Sequence, residues 1–301
     1  MVEDEFSSAY EALPPGAHVG EYVVSGLIGE GTYGMVYRAE HELIGKVAAV
    51  KVLHQRYSAD PQITKRFMAE ARAVNKIGNP NIVDIFAFGS MPNGQYYLVM
   101  ELLEGETLGE KLAREGRLHA QETISVLRPV AEALDAAHAA GIAHRDLKPE
   151  NIFLSYGSDG LVNGVKLLDF GVAKLQDDRL RIKTATGVTI GTPLYMSTEQ
   201  VRIMKVTAKT DLYALGTVIY EALTGEPVFN DETIVEVMMH HVSTPPRPPS
   251  DVLPTLSPEL DAPILHLLAK APSSRPTGAV AAMDALALAH ERASTAGPKP
   301  V

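Results

Sequence analysis

The chain contains no cysteine. Disulfides, Cys-ligated zinc and thiol chemistry are therefore excluded, and a reducing compartment suits the composition. Basic residues are also short: Lys plus Arg total 27 against 37 Asp plus Glu, a net charge of −10. A chain of this sign repels phosphate backbones and anionic lipid. That argues against a nucleic-acid partner or a polybasic membrane anchor. No apolar run reaches the roughly 18 residues of a membrane span. The best stretch, 278–290, is broken by Asp284. The opening Met1-Val2-Glu3-Asp4-Glu5 is acidic and lacks the apolar core of a signal peptide. The expectation is a soluble protein of the cytoplasm.

What is present is globular in character, with 46 % hydrophobic and 21 % charged residues. A chain of 301 residues has room for one large domain or two lobes. Residues 1–18 are acidic and then Pro-rich, and read as a flexible leader. From residue 19 to 103 the pattern is mainly a β meander: Tyr22-Val23-Val24, Leu27-Ile28, Met35-Val36-Tyr37 and the run 47–52. One helix interrupts it. Asp60 can cap it, Pro61 suits its first position, and Ile63, Phe67, Val74 and Ile77 recur at helical spacing before Gly78-Asn79-Pro80. Strands are expected over 82–88 and 95–103, around the turn Pro92-Asn93-Gly94. Beyond Gly105 helical patterns dominate. Ile124, Leu127, Ala131, Leu134 and His138 draw one stripe, and further helices are expected over 211–224, 233–241, 260–269 and 277–293. A β-rich block covers 151–168, a Thr-rich stretch covers 177–192, and 293–301 read as a flexible tail. The fold class is α+β: a β-rich lobe with one helix over 19–103, then a mostly α-helical lobe over 104–292.

Three groups of residues carry chemistry. Gly29-Glu30-Gly31-Thr32-Tyr33-Gly34 is followed by strand-like residues, with Lys51 on the next strand. Bare backbone between two strands can approach a polyphosphate without side-chain clash, although an ordinary Gly-rich hairpin has the same composition. Lys51 sits among apolar residues, where its charge calls for a partner, and Glu70 on the helix is the natural one. The second group is His144-Arg145-Asp146-Leu147-Lys148-Pro149-Glu150-Asn151. Pro149 prevents a helix here, leaving a polar loop with a carboxylate to position a hydroxyl, a Lys for phosphate charge and an Asn for a metal. The third is Asp169-Phe170-Gly171, behind the apolar Val165, Leu167 and Leu168. Asn and Asp oxygens suit Mg²⁺, a hard cation that shares substrate phosphates.

In this order, and joined by Gly191-Thr192-Pro193-Leu194-Tyr195-Met196-Ser197-Thr198-Glu199, Asp211 and Arg275, these residues resemble the eukaryotic-type Ser/Thr protein kinase family, particularly its bacterial members. The resemblance covers roughly residues 20–290 and implies a bilobal protein kinase fold. It implies a non-specific serine/threonine protein kinase that uses ATP with Mg²⁺ or Mn²⁺ and acts on protein Ser/Thr hydroxyls. Lys51 would hold the α- and β-phosphates and pair with Glu70. Asp146 would orient the substrate hydroxyl, Lys148 would neutralise the γ-phosphate, and Asn151 and Asp169 would hold the metal. Ile28, Gly29, Gly31 and Gly34 belong to the nucleotide site. Val36 and Ala49 would lie on one side of the adenine and Phe153 on the other. Glu101 and Leu103 would read its edge, with Met100 as gatekeeper. Val74, Ile85, His144 and Phe170 match the apolar column of the active state.

The resemblance also implies regulation. Arg145 would await a phosphate on the activation segment, with Thr184, Thr186 and Thr189 as the autophosphorylation residues. Thr192 would touch Asp146 and Lys148, and Glu199 would pair with Arg275. A homodimer acting in trans is a further analogy with bacterial relatives. The family's Ala-Pro-Glu is Ser197-Thr198-Glu199 here, and loss of the Pro is expected to loosen a turn near the peptide groove. A nucleotide-binding pseudokinase scaffold is the alternative, and a small-molecule phosphotransferase of the same superfamily is a third reading.

Overall fold

The computed structural model describes residues 12–31, 33–170 and 193–295, without the side chains of residues 66, 70 and 73. The chain divides into two compact units, one of residues up to 75 with 83–103, the other of 76–82 with 104 onward. The first is mainly sheet and the second mainly helix, the α+β class expected.

The sheet unit contains β1 (His18–Val19), β2 (Tyr22–Gly31), β3 (Gly34–His41), β4 (Val47–Leu53), β5 (Ile85–Ser90) and β6 (Tyr96–Met100). They form one antiparallel sheet in the order β1-β2-β3-β4-β6-β5. Register sorts the side chains, because successive residues on a strand face opposite ways. Met35, Tyr37, Ala39, Ala48, Val50, Val52 and Val99 pack in one apolar cluster. The alternate positions Val36, Ala49, Lys51, Leu98 and Met100 share the other face, since Val36 pairs with Lys51, Lys51 with Leu98, and Ala49 with Met100.

Part of the stretch expected to be a leader is held on this sheet. Gly16 N donates to Val24 O at 2.8 Å, Val24 N donates to Ala17 O at 2.9 Å, and Leu13 and Ala17 pack against the apolar cluster. The expected strand at 82 begins instead at Ile85. Asn81 O and Ile82 are engaged by Leu167, and Asn81 Nδ2 donates to Val165 O at 3.1 Å. The short α1 (Gln55–Ser58) precedes α2 (Pro61–Ile77). Asp60 Oδ1 accepts from Gln62 N at 2.8 Å, so the expected cap is present. Phe67, Ala71 and Val74 are the buried stripe.

In the helical unit β7 (Glu106–Thr107), β8 (Ile152–Tyr156) and β9 (Val162–Leu167) form a small antiparallel sheet. The helices are α3 (Leu108–Glu115), α4 (Ala120–Ala139), α5 (Thr198–Val201), α6 (Ala208–Thr224), α7 (Ile234–Ser243), α8 (Pro249–Val252), α9 (Asp261–Leu267) and α10 (Ala279–Thr295). Helix α6 is buried on nearly every face, as an apolar helix at the centre of a core should be. A Cβ on Gly216 would sit 2.8 Å from the Cβ of Leu267, so glycine is what lets α9 approach. Asp135 on α4 caps α10, accepting from Ala279 N at 2.8 Å and Val280 N at 3.0 Å.

Candidate active site

Residues 144–151 form a loop whose backbone is held by side chains from distant helices. Asp211, fully buried in the first turn of α6, accepts from His144 N at 2.8 Å and Arg145 N at 2.7 Å. His138 Nε2 lies 2.7 Å from the same carboxylate. His138 counted only as part of an apolar stripe in the sequence; its stripe position on α4 is what brings its ring to Asp211. His144 is fully buried, with Nε2 2.8 Å from Leu168 O and Nδ1 accepting from Asp146 N at 3.3 Å. Burial keeps its pKa below the ordinary imidazole value, so the ring is neutral, and it packs at a tilt against the buried Phe170 with ring centroids 4.7 Å apart. Arg145 and Asp169 both take positive φ, 69° and 43°, strained for residues with side chains.

Pro149–Asn151 make one 3₁₀ turn that aims Asn151 back along the loop. Its Nδ2 donates to Asp146 O at 2.7 Å and lies 3.4 Å from Asp146 Oδ2. With the nitrogen committed to a carbonyl, the amide presents Oδ1 as its remaining ligand atom. Asn151 and the carboxylate of Asp169 are hard oxygen donors, which fit a divalent cation of the Mg²⁺ type. Lys148 is half-buried and extended just ahead of the turn. Phe153 is half-buried on β8, opposite Lys166. A cavity of about 240 Å³ opens beside the loop, where Tyr195 Oη donates to Glu221 Oε2 at 2.7 Å and Glu150 also lines the wall. Burial raises the pKa of Glu221. From sequence Tyr195 counts only as one residue of the 191–199 run and Glu221 carries no assignment; the packing of that run against α6 is what brings them together.

The expected Glu199–Arg275 pair is buried and bidentate, at 2.7 and 2.9 Å. Arg275 spends its other donors on the carbonyls of Ala269, Lys209 and Lys270. Burial opposes the charge of Glu199, but Arg275 and the hydroxyl of Thr210 outweigh it and hold the carboxyl below its ordinary pKa. The turn expected to be loose is tied down instead. Ser197 and Gln200 form a capping box on α5, and Thr198, at the first helical position where the family has Pro, donates to His241 O at 2.8 Å.

In the sheet unit, Lys51 is half-buried on β4 between the buried Val50 and Val52. Val36, Ala49 and Met100 lie on its face of the sheet by register, as described above. Glu101 N donates to Asp84 O at 3.0 Å, and Glu101 Oε1 accepts from Asp84 N at 2.8 Å. Leu103 is half-buried, and Ile28 is 51 % exposed at the end of the β2–β3 ribbon. The three motif glycines differ. A Cβ on Gly34 would lie 2.1 Å from Val52 O, whereas one on Gly29 or Gly31 would meet nothing closer than 3.7 Å. Only Gly34 is demanded by the sheet itself. Val74 and Ile85 are buried. The side chain of Glu70 and the residues Gly171, Thr184, Thr186, Thr189 and Thr192 lie outside the described residues.

The model of the protein kinase domain matches residues 22–289. The chain belongs to the protein kinase family. It is 44 % identical over 295 residues to the serine/threonine-protein kinase Pkn1 of Myxococcus xanthus, covering 96 % of this chain and 42 % of that protein. It is 37 % identical over 281 residues to the serine/threonine-protein kinase PknB of Mycolicibacterium smegmatis, covering 92 % and 44 %. The chain thus spans less than half the length of these relatives. Among solved structures, the PknI kinase domain of Mycobacterium tuberculosis superposes with a TM-score of 0.73 at 25 % identity, covering 93 % of this chain and all of that one. The family uses ATP and a divalent metal. Among the described residues, no helix is long and apolar enough to cross a membrane.

Proposed function

We propose that the chain is an ATP-dependent serine/threonine protein kinase working in the cytoplasm, where ATP is available. The observation that carries the reading is the loop in which Asn151 grips the Asp146 carbonyl while Asp211 grips the two preceding amides. That is a rigid mount for one carboxylate and one ligand amide. In the reaction a Ser or Thr oxygen of a protein substrate forms a bond to the γ-phosphorus, and the bond to the β–γ bridging oxygen breaks to release ADP. Asp146 orients the attacking hydroxyl and takes its proton as the new bond forms. Lys148 offsets charge on the transferring phosphoryl group. Lys51, with Glu70 as partner, holds the α- and β-phosphates. Asn151 and Asp169 would hold Mg²⁺, with Mn²⁺ as a substitute, and the cation supplies charge neutralisation on the phosphates.

The nucleotide base would be met by Ile28, Val36, Ala49, Met100 and Phe153, and by the backbone at Glu101 and Leu103. Gly29, Gly31 and Gly34 would let the β2–β3 ribbon approach the phosphates. Arg145 would receive a phosphate added to Thr184, Thr186 or Thr189, with a second copy of the chain as donor in trans, and Thr192 would contact Asp146 and Lys148. The test is incubation with labelled ATP and Mg²⁺ or Mn²⁺, followed by phosphosite mapping. Label should appear on the parent and fall about 100-fold or more in Asp146→Asn and in Lys51→Met. ATP binding without transfer in the parent would instead support the pseudokinase scaffold.

A further inference from the structure

Gln200 is the third residue of α5 and has no assigned role, yet both ends of its amide are committed. Its Oε1 accepts from Ser197 N at 3.0 Å, which closes the cap of α5. Its Nε2 donates to the carbonyl of Arg145, 55 residues away, at 2.8 Å. One partner is an N–H and the other a C=O, so only one orientation of the amide serves both.

The bond to Arg145 falls at a demanding place. Arg145 has φ of 69°, a conformation that a side-chain-bearing residue keeps only when its surroundings hold it. Its N–H is fixed by Asp211 Oδ1 at 2.7 Å, and its carbonyl by Gln200. That carbonyl belongs to the peptide joining Arg145 to Asp146. The other end of the same peptide, Asp146 N, donates to His144 Nδ1 at 3.3 Å. The plane that launches the Asp146 side chain is therefore held at its oxygen by Gln200 and at its hydrogen by His144. Rotation of this plane would swing the carboxylate, and a shift near 1 Å at a reacting group costs on the order of 100-fold in rate.

We infer that Gln200 is a positioning residue for Asp146, linking the α5 segment to the loop that bears the carboxylate. The inference rests on the assignment of Asp146 under Proposed function. Helix α5 is itself anchored from below, by Glu199 on Arg275 and Thr198 on His241 O. The carbonyl of Arg145 is thus tied through one side chain to a buried framework rather than to a free loop.

Gln200→Glu separates positioning from capping. A Glu at this site keeps an oxygen for Ser197 N, the usual capping-box partner, but offers no donor to the Arg145 carbonyl. The expected result is kcat lower by about tenfold or more and KM for ATP within about twofold, since a positioning loss acts on kcat; the melting temperature falls as well, because a Glu oxygen then faces the Arg145 carbonyl oxygen. Gln200→Ala should lower kcat to a similar degree and also lower the melting temperature. Amide hydrogen exchange is read in parallel on the same full chains. In Gln200→Glu, exchange over 144–147 should accelerate while that over 197–201 stays as in the parent. Parent-like kcat together with parent-like exchange over 144–147 in Gln200→Glu would overturn the inference and reduce Gln200 to a cap. If the parent itself transfers no phosphate, Proposed function falls, and the exchange measurement still decides whether Gln200 holds this peptide.

Discussion

Lys51 takes its place from ladder bonds and apolar neighbours: β3 pairs on one side, β6 on the other, and Val50 and Val52 anchor the strand from the opposite face. Asp146 takes its place from side chains that grip its loop's backbone: His144 and Asn151 from the loop itself, and Asp211 and Gln200 from far along the chain, holding the residues just before it. The sheet unit thus positions by register, which tolerates change as long as alternation survives. The helical unit positions by buried polar groups, which tolerate little, because each one left unpaired in a low-dielectric core is costly. Mutations in the two units should separate accordingly.

The largest effect should come from Asp211→Ala. It strands the amides of His144 and Arg145 and the ring of His138 without an acceptor. A loss on the order of 3–5 kcal/mol is expected, read by urea unfolding, with phosphate transfer falling alongside. A loss under about 1 kcal/mol would mean that the loop is held by other contacts.

Next comes Arg275→Met, expected to cost roughly 3 kcal/mol by leaving Glu199 buried and charged. The double variant Glu199→Gln/Arg275→Met should recover part of that loss, because a buried pair is dearer to break than to replace. The pH dependence sharpens the point. Glu199 has its folded pKa held below the ordinary value of 4.5, so its contribution is present above that pH and is lost as acid carries the solution through the folded value. The parent should lose this stability below about pH 4.5, and the double variant should lack that part of the slope. Burial also pushes His241 from 6.5 to about 3, so stability should fall as pH drops from 6.5 toward 3 in both proteins. An unchanged acid slope below pH 4.5 in the double variant would remove Glu199 from this account.

The smallest effects, and the most discriminating within the sheet unit, concern the glycines. Gly34→Ala forces a Cβ into the Val52 carbonyl and should cost about 1–3 kcal/mol. Gly29→Ala and Gly31→Ala should change stability by less than about 0.5 kcal/mol, yet weaken ATP binding measured by calorimetry. Unchanged ATP affinity in both would argue that the ribbon does not approach the phosphates.

Much of this was legible in the sequence. Asp60, Pro61 and Gly78 delimit α2, alternation marks β3 and β4, and Pro149 stops a helix in the polar loop, all through local backbone preferences. Other features were not. His138 stands at an apolar stripe spacing and only the approach of α6 makes it a partner of Asp211. Thr198 read as the loss of a stiffening Pro, but its hydroxyl finds the carbonyl of His241, a contact 43 residues distant. The strand expected from Ile82 starts later because β9 claims the preceding residues.

The sequence by itself determined the order of strands and helices, the division between a sheet-rich and a helix-rich part, and the set of residue types available for chemistry. These follow from caps, turns and periodicities that act over a few residues. Only the tertiary structure decided which polar groups meet. The bonds of Asp211 to His138, His144 and Arg145, of Arg275 to Glu199 and of Gln200 to Arg145 join positions 55 to 76 residues apart. Such a contact depends on how whole helices pack, and on the requirement that every buried donor and acceptor finds a partner, which no short stretch of sequence can express.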